Sequence, residues 1–129
     1  MKRILFLDPD GVSQGLATQA LAESGAQLVV ESSVEAALDR IVLEKIHLVV
    51  MDLAMADRLL LEIRDRDPLV QVILSGGSDG PASILRALEH GANDYLPGSY
   101  TEADLREAVK LSMDKLDRWY QAIRVSFEA

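Results

Sequence analysis

Short apolar runs and amphipathic stripes alternate along this chain almost without a break. Apolar, β-branched runs at about 3–7, 27–31, 47–52, 70–75 and 93–96 have the length of strands. The runs at 47–52 and 70–75 lack polar alternation, the pattern of strands buried on both faces. Between them the period changes to that of helices. Val12, Leu16, Ala17, Ala20 and Leu21 form one stripe ending at Gly25, and Val34, Ala37, Leu38, Ile41 and Val42 form a second behind the capping-box pair Ser32 and Glu35. Leu59, Leu60 and Ile63 predict a third helix closed by Pro68. Ile84, Leu85 and Leu88 predict a fourth, begun near Asp79-Gly80-Pro81 and stopped at Gly91. Strict alternation of this kind predicts an α/β fold: a doubly wound, five-stranded parallel sheet with five helices on its two faces, joined by right-handed crossovers.

The fifth helix is expected at about 101–125. Thr101 and Asp104 resemble a capping box, and Leu105, Val109, Ser112, Leu116, Trp119 and Ile123 follow in alternating steps of four and three. This heptad-like seam fits dimerisation or a helical lead into an output domain. One amphipathic helix lying on a sheet gives a similar period. With 129 residues and no repeat, linker or low-complexity stretch, residues 1–129 are expected to form a single domain.

Charge and composition exclude several classes. A formal net charge of −8 with only four lysines (Lys2, Lys45, Lys110 and Lys115) argues against a nucleic-acid surface, which needs clustered positive charge. The chain has no cysteine, so disulfides and thiolate-bound metals do not arise. Its apolar runs are too short for a membrane span and no basic, apolar leader precedes them, so a cytoplasmic soluble protein is expected. His47 opens a strand and His90 sits at a helix end, and neither belongs to a metal-ligand pattern.

The acidic residues carry the chemistry. Asp8 and Asp10 close the run Ile4-Leu5-Phe6-Leu7, and Asp52 closes Leu48-Val49-Val50-Met51. In neighbouring parallel strands these three carboxylates gather at the C-terminal edge of the sheet, where open α/β folds bind their ligands. Crowded carboxylates repel, so such a cluster usually awaits a cation or a phosphoryl group. Taken alone, Asp52 reads as a helix cap, Ser75 before Gly76-Gly77 as turn chemistry, and Tyr95 as a packed aromatic. Asp8, Asp10, Asp52 and Ser75 together favour a site.

These residues resemble the receiver domain of bacterial two-component response regulators. The likeness covers roughly residues 2–115. It rests on Ile4-Leu5-Phe6-Leu7-Asp8, Leu48-Val49-Val50-Met51-Asp52-Leu53-Ala54-Met55, Val72-Ile73-Leu74-Ser75 and Gly91-Ala92-Asn93-Asp94-Tyr95-Leu96, in the family's order and at similar spacing. The resemblance implies a flavodoxin-like sheet of strand order 2-1-3-4-5 and a regulatory phosphoacceptor rather than an enzyme. Asp52 would receive a phosphoryl group from a sensor histidine kinase or phosphotransfer protein. Asp8, Asp52 and the Ala54 carbonyl would hold Mg2+, with Asp10 as a substitute for the family's second acidic ligand; Ser75 would be the switch hydroxyl and Tyr95 the aromatic that moves inward with it. The face around the fourth helix, fifth strand and fifth helix would then meet an output domain or partner protein.

Three departures weaken that expectation. The family's lysine after the fifth strand falls on Gly98, its second acidic residue falls on Pro9, and the loop before the third helix is several residues shorter than usual. Arg58, in the shortened region, is a candidate surrogate cation. Losing one preorganised charge-stabilising group typically slows a reaction by about 10²- to 10³-fold, so weak phosphorylation is expected. Two other readings remain: a pseudo-receiver that binds a partner without phosphoryl chemistry, and a haloacid-dehalogenase-like phosphatase with Asp8 as nucleophile. The second rests on Phe6-Leu7-Asp8-Pro9-Asp10-Gly11-Val12. It lacks the expected order of later motifs, since Ser75 follows Asp52 and no lysine lies between Lys45 and Lys110.

Overall fold

The computed structural model describes residues 1–8, 14–76 and 80–128, with the side chain of Ser83 excepted. Five strands, β1 (Arg3–Leu7), β2 (Gln27–Glu31), β3 (Leu48–Asp52), β4 (Gln71–Ser75) and β5 (Asp94–Leu96), alternate with five helices. These are α1 (Gln14–Ala20), α2 (Val34–Leu43), α3 (Ala56–Arg66), α4 (Pro81–Glu89) and α5 (Glu102–Glu128), with a short 3-10 turn, Leu53–Met55, leading into α3. All neighbouring strands are parallel and lie in the order β2-β1-β3-β4-β5, as expected from the sequence. Val12 and Asp79, expected in the first and fourth helices, lie outside the described residues.

Alternate residues of the central strands feed two separate cores. Leu5, Leu7, Val49, Met51, Val72 and Leu74 pack beneath α2, α3 and α4, where they meet Ala37, Leu59, Leu60, Ile63 and Ala87. Ile4, Phe6, Leu48, Val50 and Ile73 point the other way and meet Ala17, Ala20 and Leu21 on the α1 side and Leu105, Ala108 and Val109 of α5. Side chains of a strand alternate between faces, so an all-apolar run satisfies both layers at once.

Two local readings need correction, at the cap of α2 and on α4. The cap of α2 is Ser33, whose hydroxyl accepts from the Ala36 N–H at 3.1 Å, one residue beyond the expected Ser32. Leu85 and Leu88 are exposed, so α4 meets the core mainly through Ala87. On α5, Leu105, Val109, Ser112 and Leu116 are buried, whereas Trp119 and Ile123 are exposed. Its capping box is reciprocal: Thr101 N–H donates to Asp104 Oδ2 at 3.0 Å and Asp104 N–H to Thr101 Oγ1 at 3.1 Å.

At the N-terminal edge of the sheet, His47 Nδ1 accepts the Arg3 N–H at 2.9 Å, while the His47 backbone N–H donates to the Arg3 carbonyl at 3.0 Å. Desolvation, then the charges of Lys45, Lys2, the N-terminus and Arg3, hold its pKa below the ordinary value of 6.5. The unfolded chain therefore binds more protons at this site, so stability rises with pH between the folded-state pKa and 6.5. Urea unfolding on either side of this window should show a lower midpoint at the acidic end. His47→Asn should flatten that step, and an unchanged slope in the variant would contradict the assignment.

Candidate phosphoacceptor site

Asp52 ends β3 at the C-terminal edge of the sheet, in register with Ser75 on β4. Leu7 of β1 pairs with Met51, so Asp8 lies one step past that pair beside Asp52. Strand neighbours of this kind lie about 4.8 Å apart, close enough for two carboxylates to share one ligand. Asp8 is buried, Asp52 half-buried, and the Asp8 N–H donates to the Glu31 carbonyl at 3.0 Å. Asp10 and Pro9 lie outside the described residues.

The capping role that a lone aspartate would have is present too. Asp52 has extended backbone angles, and its Oδ1 accepts the Ala54 N–H at 2.7 Å at the mouth of the 3-10 turn. The other oxygen faces Gly76: a Cβ built there would lie 2.7 Å from Asp52 Oδ2. Gly76 has φ +109°, a conformation that side-chain-bearing residues rarely adopt, so both the backbone and the close approach call for glycine. Nothing in the sequence reading marked Gly76 as part of the site. The only signal was the Gly76-Gly77 pair itself, read as turn chemistry.

Ser75 Oγ lies 3.5 Å from the Met51 carbonyl, a long contact within the sheet. Tyr95 is half-buried against the core beneath α3 and α4, and its hydroxyl donates to the Gly76 carbonyl. Tyr95 thus touches the residue that lies against Asp52. Arg58 does not take the place of the missing lysine. Its guanidinium lies 3.2 Å from Glu35 on α2, and among the described residues no cation pairs with Asp52. Gly98 is exposed beyond β5.

Asp8, Asp52 and main-chain carbonyls such as that of Ala54 are hard oxygen donors. Mg2+ is commonly held by one or two carboxylates plus waters, so this donor set suits it. Among the described residues there is no group of three or more acidic or histidine side chains arranged to hold a metal. No helix among the described residues is long and apolar enough to cross a membrane.

Comparison with known proteins agrees with the fold. The family model described as the response regulator receiver domain matches residues 4–110. No curated protein matches the chain. Among solved structures, the chain is similar to a CheY-like receiver domain protein from Methanospirillum hungatei, with a TM-score of 0.83 and 24% identity over 92% of this chain and 98% of that one. A response regulator from Thermotoga maritima aligns with a TM-score of 0.81 and 21% identity over 88% of this chain and 98% of that one. NtrX from Brucella abortus, solved with ADP, aligns with a TM-score of 0.87 and 20% identity over 97% of this chain but 29% of its own length.

Proposed function

Since the chain belongs to the response regulator receiver domain family, we propose that it accepts a phosphoryl group on Asp52 from a sensor histidine kinase or phosphotransfer protein and relays the event through protein contacts. The observation that carries this reading is the shared edge of Asp8, Asp52 and Ser75, with Tyr95 reaching the same corner. An oxygen of Asp52 attacks the donor phosphorus, the P–N bond to the donor imidazole breaks, and the new O–P bond leaves an aspartyl phosphate. Such transfers depend on positioning and charge neutralisation more than on a strong base. The Ala54 N–H holds Oδ1 and so orients the carboxylate, while Gly76 leaves room beside Oδ2 that any larger residue would fill. Asp8, Asp10, Asp52 and the Ala54 carbonyl would hold Mg2+, which neutralises phosphoryl oxygens when bound. Ser75 is the hydroxyl placed to turn toward the phosphoryl group and Tyr95 the aromatic that follows it.

A second reading has its own support. The Tyr95 hydroxyl reaches the Gly76 carbonyl beside Asp52, and Gly98 stands where the family has its lysine. A pseudo-receiver held in one signalling state, binding its partner without phosphorylation, has these two properties. Under either reading the output surface is the face of α4, β5 and α5, where Leu85, Leu88 and Leu111 are exposed. Past Leu116 the α5 seam leaves the core with Trp119 and Ile123 uncovered, which suits a homodimer or a helical lead into an output domain.

Incubation with a small acyl-phosphate donor and Mg2+, followed by mass spectrometry, should place a label that Asp52→Asn abolishes. Gly98→Lys should raise the labelling rate by roughly 10²-fold if the missing cation limits it. A label lost in Asp8→Asn and kept in Asp52→Asn would favour the phosphatase-like chemistry. No label, with a conventional receiver labelled alongside, would favour the pseudo-receiver. For the α5 seam, the solution mass should rise with concentration and Trp119→Ser should hold it at one chain. A monomer mass at every concentration in the parent protein would rule out the homodimer.

A further inference from the structure

The last turn of α3 carries an arginine that the site chemistry does not use. Arg64 directs its guanidinium into the α4–β5 corner, where Nε and Nη2 both donate to the Gly91 carbonyl at 3.1 and 2.5 Å and Nη2 also reaches Asn93 Oδ1 at 2.7 Å. On the other side, Nη1 donates to the carbonyls of Val70 at 2.5 Å and Pro68 at 3.2 Å. Guanidinium has five N–H donors, and these five contacts occupy them all without a carboxylate among the acceptors. Gly91 makes the approach feasible. Its φ is +97°, and a Cβ there would lie 2.8 Å from Arg64 Nε.

The element secured in this way is the shortest strand of the sheet. β5 has three residues and pairs only with β4, through Ile73–Asp94, Leu74–Tyr95 and Ser75–Leu96. Its register is fixed just before it begins. The Asn93 N–H donates to the Val72 carbonyl at 2.9 Å, and the Val72 N–H donates to Asn93 Oδ1 at 2.7 Å, the same oxygen that Arg64 holds. Two residues later comes Tyr95, whose hydroxyl reaches the Gly76 carbonyl beside Asp52. A slip of one residue in a strand turns every side chain to the opposite face, so the position of Tyr95 depends on this anchor.

We infer that Arg64 is a positioning residue: by binding Gly91 and Asn93 it sets the register of β5 and so holds Tyr95 against the Gly76 corner of the site. This rests on the reading of Tyr95 as the switch aromatic, yet its test requires no phosphorylation. In the full chain, amide exchange across the sheet and the ring resonances of Tyr95 are measured for Arg64→Met, Arg64→Lys and Asn93→Ser. Exchange at Tyr95 and Leu96 should quicken by about tenfold or more and the Tyr95 ring signals should shift, while β1 and β3 amides keep their protection. Lysine cannot reproduce the fork, so Arg64→Lys should fall between the parent and Arg64→Met. If Arg64→Met does not fold, the two milder variants report on the same probes. Unchanged Tyr95 signals, or a rise in exchange equal in every strand, would overturn the assignment and leave Arg64 as a general support. Failure of Asp52 to take a phosphoryl label would count against the proposed function and leave these measurements unaffected.

Discussion

Burial of β1, β3 and β4 on both faces is the constraint from which the rest of the structure follows. A strand covered by helices on either side has little room for charged side chains, so charge gathers where the strands enter or leave the sheet. Asp8 and Asp52 stand at those exits, on neighbouring strands running in the same direction. The edge thereby concentrates negative charge on a rigid base, and the two cores beneath it, one under α2, α3 and α4 and one under α1 and α5, hold that base in place.

Around this base the loops decide what the carboxylates meet. The 3-10 turn places the Ala54 N–H on one oxygen of Asp52, and the corner after β4 brings Gly76 against the other. Tyr95 joins the same corner to β5, whose register is set far from the edge by Asn93 and Arg64. Hydrogen bonds at Asn93 and at Tyr95, joined by the backbone of β5, thus link the end of α3 to the residue beside Asp52. Charges elsewhere tie helix to helix, as Arg58 does with Glu35 and Arg86 with Asp57 at 3.6 Å, on exposed surfaces where such pairs contribute little.

Much of this was legible in the sequence because burial leaves a pattern in residue type. The all-apolar runs ending in Asp8 and Asp52 gave away β1 and β3 and the meeting of their ends, and Leu59, Leu60 and Ile63 marked a helix whose inner face is fully buried. Element boundaries were less legible, since capping is settled by backbone direction: the capping-box spacing of Ser32 and Glu35 favours Ser32, yet the chain turns at Ser33. Leu85 and Leu88 misled for a related reason, because apolar spacing marks a helix without saying which side of it the core will cover. The Arg64 clamp left no trace. Four of its five contacts are to main-chain carbonyls, which every residue carries, so no residue type announces them.

A working receiver on this fold requires that the Asp52 edge and the face of α4, β5 and α5 form one coupled unit. Its most direct test is chemical-shift mapping of the full chain with and without a phosphoryl mimic such as beryllofluoride, in parallel with Asp52→Asn. Coupling predicts shifts at Ser75, Gly76 and Tyr95 that extend along α4 and β5 in the parent protein and vanish in the variant. Shifts confined to the edge itself, or an identical response in Asp52→Asn, would contradict it.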